Sequence, residues 1–112
     1  MKALKITVNG EMTVVDFTTE NSYKTISDAV GGWIEAVAIA EDITMWCNEE
    51  GKLLNLDVNH HASRLFVHAF GHIDLIAGDV IITGGADEDG NDTSLSDERI
   101  DEITHYLKLM MA

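Results

Sequence analysis

At 112 residues and 46% hydrophobic content, the chain can bury one modest core, which argues for a single domain over residues 1–112 and against disorder of the whole chain. A formal net charge of −13 in 12.3 kDa leaves no basic patch to release counterions, which argues against direct contact with nucleic-acid phosphates or acidic membranes. Cys47 is the single cysteine, so an internal disulfide and any multi-cysteine zinc site are excluded.

Lys2 to Val8 alternates, with Leu4, Ile6 and Val8 on one face, which is the period of a half-buried strand. Asn9-Gly10 predicts a two-residue type I′ turn, with Met12 to Phe17 returning antiparallel as an N-terminal hairpin. Asn21 or Ser22 then caps a short helix that carries Tyr23, Ile26 and Val30 on one face, and Gly31 is its stop. Trp33 to Ile39 reads as a buried strand and Ile43 to Cys47 as another. Asn48 to Gly51 is the turn after it, with Gly51 expected in a left-handed conformation. The two tryptophans, Trp33 and Trp46, are assigned to the core.

Leu53, Leu54 and Leu56 allow a short extended piece, whereas Val58 to Phe70 places its apolar residues at helical spacing. Ile73 to Ile76 and Asp79 to Thr83 flank Ala77-Gly78, as one bent strand or a tight hairpin. The last helix has the fullest set of start signals. Ser96 is its N-cap, Leu95 and Ile100 can form a hydrophobic staple, and Asp97 and Glu98 sit where the helix dipole favours anions. Ile100, Ile103, Leu107 and Met110 form its apolar stripe. The predicted architecture is α+β: an antiparallel sheet of about five strands starting with the hairpin, two or three helices packed on it, and a C-terminal helix.

Residues 79–102 hold nine of the twenty acids and one of the seven bases. Aligned to a calcium loop, Asp87, Asp89, Asn91 and Glu98 fall at ligand positions, but Asp92 stands where the sharp turn needs glycine and Gly90 comes too early. A solvated loop whose carboxylates start the next helix is the plainer reading. His60, His61, His68 and His72 cluster, and His68 and His72 are spaced i, i+4 as a helical zinc pair requires, with Asp57 within reach of the sequence neighbourhood. Gly71 lies between them, where a helix is weakest. No cofactor is predicted, with calcium as the alternative.

Nucleophilic catalysis has little support. Cys47 sits in an apolar strand that raises a thiol pKa, Ser63 lacks a G-x-S-x-G context, and no glycine-rich phosphate loop is present. Arg64 is the only base between Lys52 and Arg99. It is expected to pair with a carboxylate, or else to anchor an anionic ligand with Asn59 and His61 as the polar lining. No apolar run approaches the ~20 residues needed to span a bilayer, and polar Thr7, Asn9 and Gly10 interrupt the N-terminal segment, so a cytoplasmic protein is predicted. Strand edges and the Met110-Met111 tail leave a homodimer open.

The chain resembles a family of small proteins known as domain-of-unknown-function family 3846. The matching pieces are Met1-Lys2-Ala3, Tyr23-x-x-Ile26 leading to Val30-Gly31-Gly32-Trp33-Ile34-Glu35, and Asn48-Glu49-Glu50-Gly51-Lys52. They continue through Asn59-x-x-Ala62, Ile76-Ala77-Gly78-Asp79 and Leu95-Ser96-Asp97-Glu98. His60-His61 departs from the pattern, where basic or apolar residues are more usual. The resemblance implies a setting in phages, plasmids and their bacterial hosts, and no catalytic residues. With the charge clustering, it leads to the expectation of a non-enzymatic accessory protein. Its acidic face, Asp87, Glu88, Asp89, Asp92, Asp97, Glu98, Asp101 and Glu102, would occupy a basic site on a host nucleic-acid-handling protein. The alternatives are a nucleotide-like ligand held by Asn59, His61 and Arg64, or a calcium or zinc site.

Overall fold

The structure is a computed structural model that describes residues 1–112. In chain order its elements are β1 (Lys2–Ile6), β2 (Met12–Asp16), α1 (Ser22–Val30), β3 (Ile34–Ala40), β4 (Ile43–Asn48), α2 (His60–Phe70), β5 (Val80–Thr83) and α3 (Asp97–Met110). The five strands form one sheet in the order β2-β1-β5-β4-β3, antiparallel at every pairing. The α+β architecture read from the sequence is therefore the observed one, with three helices.

Side chains alternate across the sheet and build a core on each face. Leu4, Ile6, Met45, Cys47, Val80 and Ile82 meet Ala62 and Leu65 of α2 and Ile100, Ile103 and Leu107 of α3. On the opposite face Ala3, Phe17 and Ile81 meet Ile26 and Val30 of α1. Strand β5 is buried throughout because helices cover it on both sides, which explains its unbroken apolar run. Helix α1 carries the chain from the β2 edge of the sheet to the β3 edge.

Several local expectations are corrected. The hairpin loop has three residues, not two. Thr7 N–H donates to Glu11 O at 3.0 Å and Gly10 N–H to Thr7 O at 2.9 Å, with Gly10 at φ 83°. Only Gly10 takes the left-handed conformation, which makes a type I turn closed by a bulge rather than type I′. Gly51 is not left-handed. Glycine is needed there because a Cβ would collide with the Ala77 carbonyl oxygen; the left-handed residue of this segment is Asn55, at φ 55°. Leu53 and Leu54 lie exposed in hydrogen-bonded turns, residues 73–76 form no strand, and Ala77 makes only an isolated bridge to Val58.

Strand β3 is a sheet edge with Ala36 and Ala38 exposed, rather than a buried strand. Its apolar residues belong to a strand covered by α2 on one face, while on the other only Ile34 packs against the α1 core. Tyr23 and Met110 fall outside the core stripes of α1 and α3, at 57% and 45% exposed. Trp33, assigned to the core, is 64% exposed. Trp46 is half-buried, and its indole N–H donates to Thr83 Oγ1 at 2.9 Å. No helix is long and apolar enough to cross a membrane.

Candidate functional site

The acidic stretch is built from two short-range motifs. Ser96 Oγ accepts from Arg99 N–H at 3.2 Å and starts α3, while Leu95 and Ile100 bury together below it. Upstream, Asp87 N–H donates to Asn91 O at 2.9 Å and Gly90 N–H to Asp87 O at 3.0 Å, with Gly90 at φ 80°. This repeats the geometry of the first hairpin loop. The Asp87 carboxylate accepts from Asp89 N–H and Asn91 N–H, both at 2.9 Å. The glycine that came too early for a calcium loop is thus in place for a tight turn, and Asp87 is occupied in holding that turn.

Tertiary contacts attach this loop to the rest of the acidic end. Thr93 Oγ1 donates to Gly85 O, and Gly84 N–H donates to Thr93 O at 2.9 Å. A Cβ at Gly85 would collide with the Glu41 carbonyl oxygen, so the loop base lies directly on the β3–β4 turn. Arg99 joins the same turn to α3. Its guanidinium contacts Asp42 through Nε and Nη2 at 2.8 and 3.0 Å, and Glu102 through Nη1 at 2.9 Å. Lys2 donates to Asp97 at 2.9 Å. The Arg99 hydrogen bonds hold the Asp42 carboxyl below the usual carboxylate range, and the two carboxylates raise Arg99; the Asp97 hydrogen bond raises Lys2.

The convergence adds Glu41 and Asp42 to the predicted face, a pair that lies far away in the sequence. Asp42, Asp97 and Glu102 are paired with Arg99 and Lys2, three carboxylates to two bases, while Glu41, Asp87, Glu88, Asp89, Asp92, Glu98 and Asp101 make no ion pair. Most of the remaining field is carried by these seven, and all but Asp92 are exposed.

The predicted ligand residues Asn59, His61 and Arg64 have separate tasks. Asn59 is 0% exposed, and its side chain is fully used. Oδ1 accepts from Ala62 N–H at 3.0 Å to cap α2, and Nδ2 donates to Ile6 O at 3.0 Å and Gly78 O at 3.1 Å. His61 lies against Gly10 of the hairpin loop. Arg64 has no carboxylate partner, contrary to the expected ion pair; its Nε donates to the Tyr106 hydroxyl at 3.2 Å. None of the three lines a cavity of the structure.

The histidines are likewise dispersed. Gly71 takes φ 75° and ends α2 at Phe70, so His72 leaves the helix and the i, i+4 pairing with His68 does not form. His68 stacks on Tyr106 at 4.7 Å between ring centroids, and His72 meets Phe66 edge-on at 5.4 Å. No three His, Cys, Asp or Glu side chains are gathered to hold one ion, neither here nor around Asp87, Asp89, Asn91 and Glu98. Cys47 is buried, and desolvation, then the charges of Glu35 and Asp74, push its thiol up to about 12, which matches the inert role read from its strand.

Sequence reasoning missed the exposed Trp33. It lines an open groove with Tyr23, Ser27, Asp28, Gly31 and Gly32. Gly31-Gly32 just before it, which uncouples it from the strand pattern, was the available signal.

No curated protein and no solved structure matches the chain. One family model does, described as a domain of unknown function, and it covers residues 1–108. The chain belongs to the DUF3846 family.

Proposed function

We propose that this protein acts by binding rather than catalysis, as an accessory protein of a phage or mobile element. Its acidic end occupies a basic site on a host nucleic-acid-handling protein. The observation that carries this reading is the convergence of three chain segments, the β3–β4 turn, the 84–95 loop and the start of α3, on one end. There Glu41, Glu88, Asp89, Asp92, Glu98 and Asp101 are left without basic partners. Carboxylates fixed on a rigid frame can stand where phosphates would sit, and their field steers a basic partner at moderate salt. The frame is rigid for stated reasons: Asp87 locks the loop, Ser96 caps the helix, and Arg99 ties turn to helix.

The test compares the native chain with a Glu88→Gln, Asp89→Asn, Glu98→Gln, Asp101→Asn variant in capture from host lysate at low and high salt. These four side chains are exposed and make no ion pair, so the variant should stay folded, with a loss of at most about 1 kcal/mol from Glu98 at the start of α3. The expected result is a nucleic-acid-handling protein captured at low salt, released by high salt, and lost with the variant. Capture of the same partner by both proteins, or capture indifferent to ionic strength, would refute the reading.

A further inference from the structure

Strand β3 ends the sheet, hydrogen-bonded to β4 alone, so its outer edge carries free N–H and C=O groups. Over Ile34–Ala40 it has no lysine and no proline, Glu35 is its only charge, and the one irregularity of register falls between Ala38 and Ala40, at the end away from Trp33. Ala36 and Ala38 are exposed and small, leaving room for another backbone to approach. Immediately before the strand, Trp33 and Tyr23 line the groove that also contains Asp28, itself paired with Lys24 at 2.8 Å, and that opens over Gly31, where a Cβ would meet nothing within 4 Å. The Trp33 backbone is fixed in place, since its carbonyl accepts from Glu49 N–H at 2.8 Å.

We propose that the β3 edge and this groove form one docking surface for an extended basic peptide of a protein partner. The peptide backbone adds as a sixth strand beside β3, and a lysine or arginine side chain lies between Trp33 and Tyr23. The edge dictates an extended occupant, because main-chain hydrogen bonds are what it offers. Charge dictates a basic one. Glu35 is the one charge on the strand and is unpaired, the chain as a whole carries −13, and aromatic faces attract a cation. A second copy of the chain would bring its own charge of −13 to the same edge. Exposed tryptophan and tyrosine are also the side chains that most often carry binding energy at protein interfaces. Its groove lies at the opposite end of β3 from Glu41, and the surface does not depend on the acidic-end reading.

The probe is a fluorescein-labelled peptide of alternating valine and threonine with a lysine at each end, followed by anisotropy. Amide chemical shifts of the labelled protein locate the contact. The peptide should bind and perturb residues 34–40. A twin N-methylated at alternate residues on the β3-facing side should lose about tenfold or more, as should a twin with glutamines for the lysines. Trp33→Ala should weaken binding about tenfold while Trp33→Phe largely restores it, and neither should alter melting because Trp33 is exposed. The Glu98→Gln, Asp101→Asn variant should bind as the native chain does, which separates this surface from the acidic end. Equal binding of the N-methylated twin, insensitivity to Trp33→Ala, or sedimentation of the free protein as a dimer through β3 would each overturn the proposal.

Discussion

Replacing Asn59 with alanine tests most directly how this fold is held. Asn59 ties together three parts of the chain: the start of α2 through Ala62 N–H, the end of β1 through Ile6 O, and the turn before β5 through Gly78 O. Loss of the helix cap costs about 1 kcal/mol. Loss of two fully buried hydrogen bonds adds about 1 kcal/mol each, so the sum is ~3 kcal/mol. Against a stability on the order of 5–15 kcal/mol for a domain, that is a large share. The corresponding fall in Tm is on the order of 10–20 °C for a chain of this size. Urea melts followed by circular dichroism should show the midpoint falling with an unchanged slope. Asn59→Asp should be at least as damaging at neutral pH. It keeps the cap acceptor but turns a carboxylate toward two carbonyl oxygens, and its pKa is raised by that burial. The deficit should shrink as pH falls and the carboxyl regains a proton to donate. A loss below about 1 kcal/mol for Asn59→Ala would refute the hub role and reopen Asn59 as a ligand group.

The same geometry sets the other expectations. Thr83→Val should destabilise by about 1 kcal/mol, read by chemical denaturation, because the half-buried Trp46 indole N–H loses its acceptor. Arg99 lowers the Asp42 pKa and Lys52 lowers that of Asp74, so both pairs contribute stability above the ordinary carboxylate pKa of about 4. That contribution should disappear as pH drops through the depressed values. Arg99→Met should flatten the acid limb of a pH–stability profile, and added salt should do the same to a lesser degree, since these pairs are exposed. Cys47 should resist a thiol reagent at pH 8 until the protein unfolds, given its burial and a pKa of about 12. Rapid stoichiometric labelling of the folded chain would show that its strand opens far more readily than the packing implies.

What the sequence determined by itself was everything governed by short-range chemistry. Ser96 with Leu95 and Ile100 starts α3, Gly31 and Gly71 stop α1 and α2 in the left-handed conformation, and alternation from Lys2 to Ile6 makes β1. Each such signal is complete within a few residues, so no distant partner is needed to read it. The tertiary structure decided whatever depends on which element lies beside which. An apolar run such as Ile34–Ala40 looks the same at the centre of a sheet and at its edge, and only strand order made it an edge. Gly51 and Gly85 are glycines because distant carbonyl oxygens, of Ala77 and Glu41, approach them. Asn59 looked like a polar residue free for a ligand until the chain brought Ile6 and Gly78 to it. The acidic end itself is divided in this way. Its loop and helix start follow from residues 87–102, while its union with Glu41 and Asp42 exists because Arg99 reaches across 57 positions of sequence to close it.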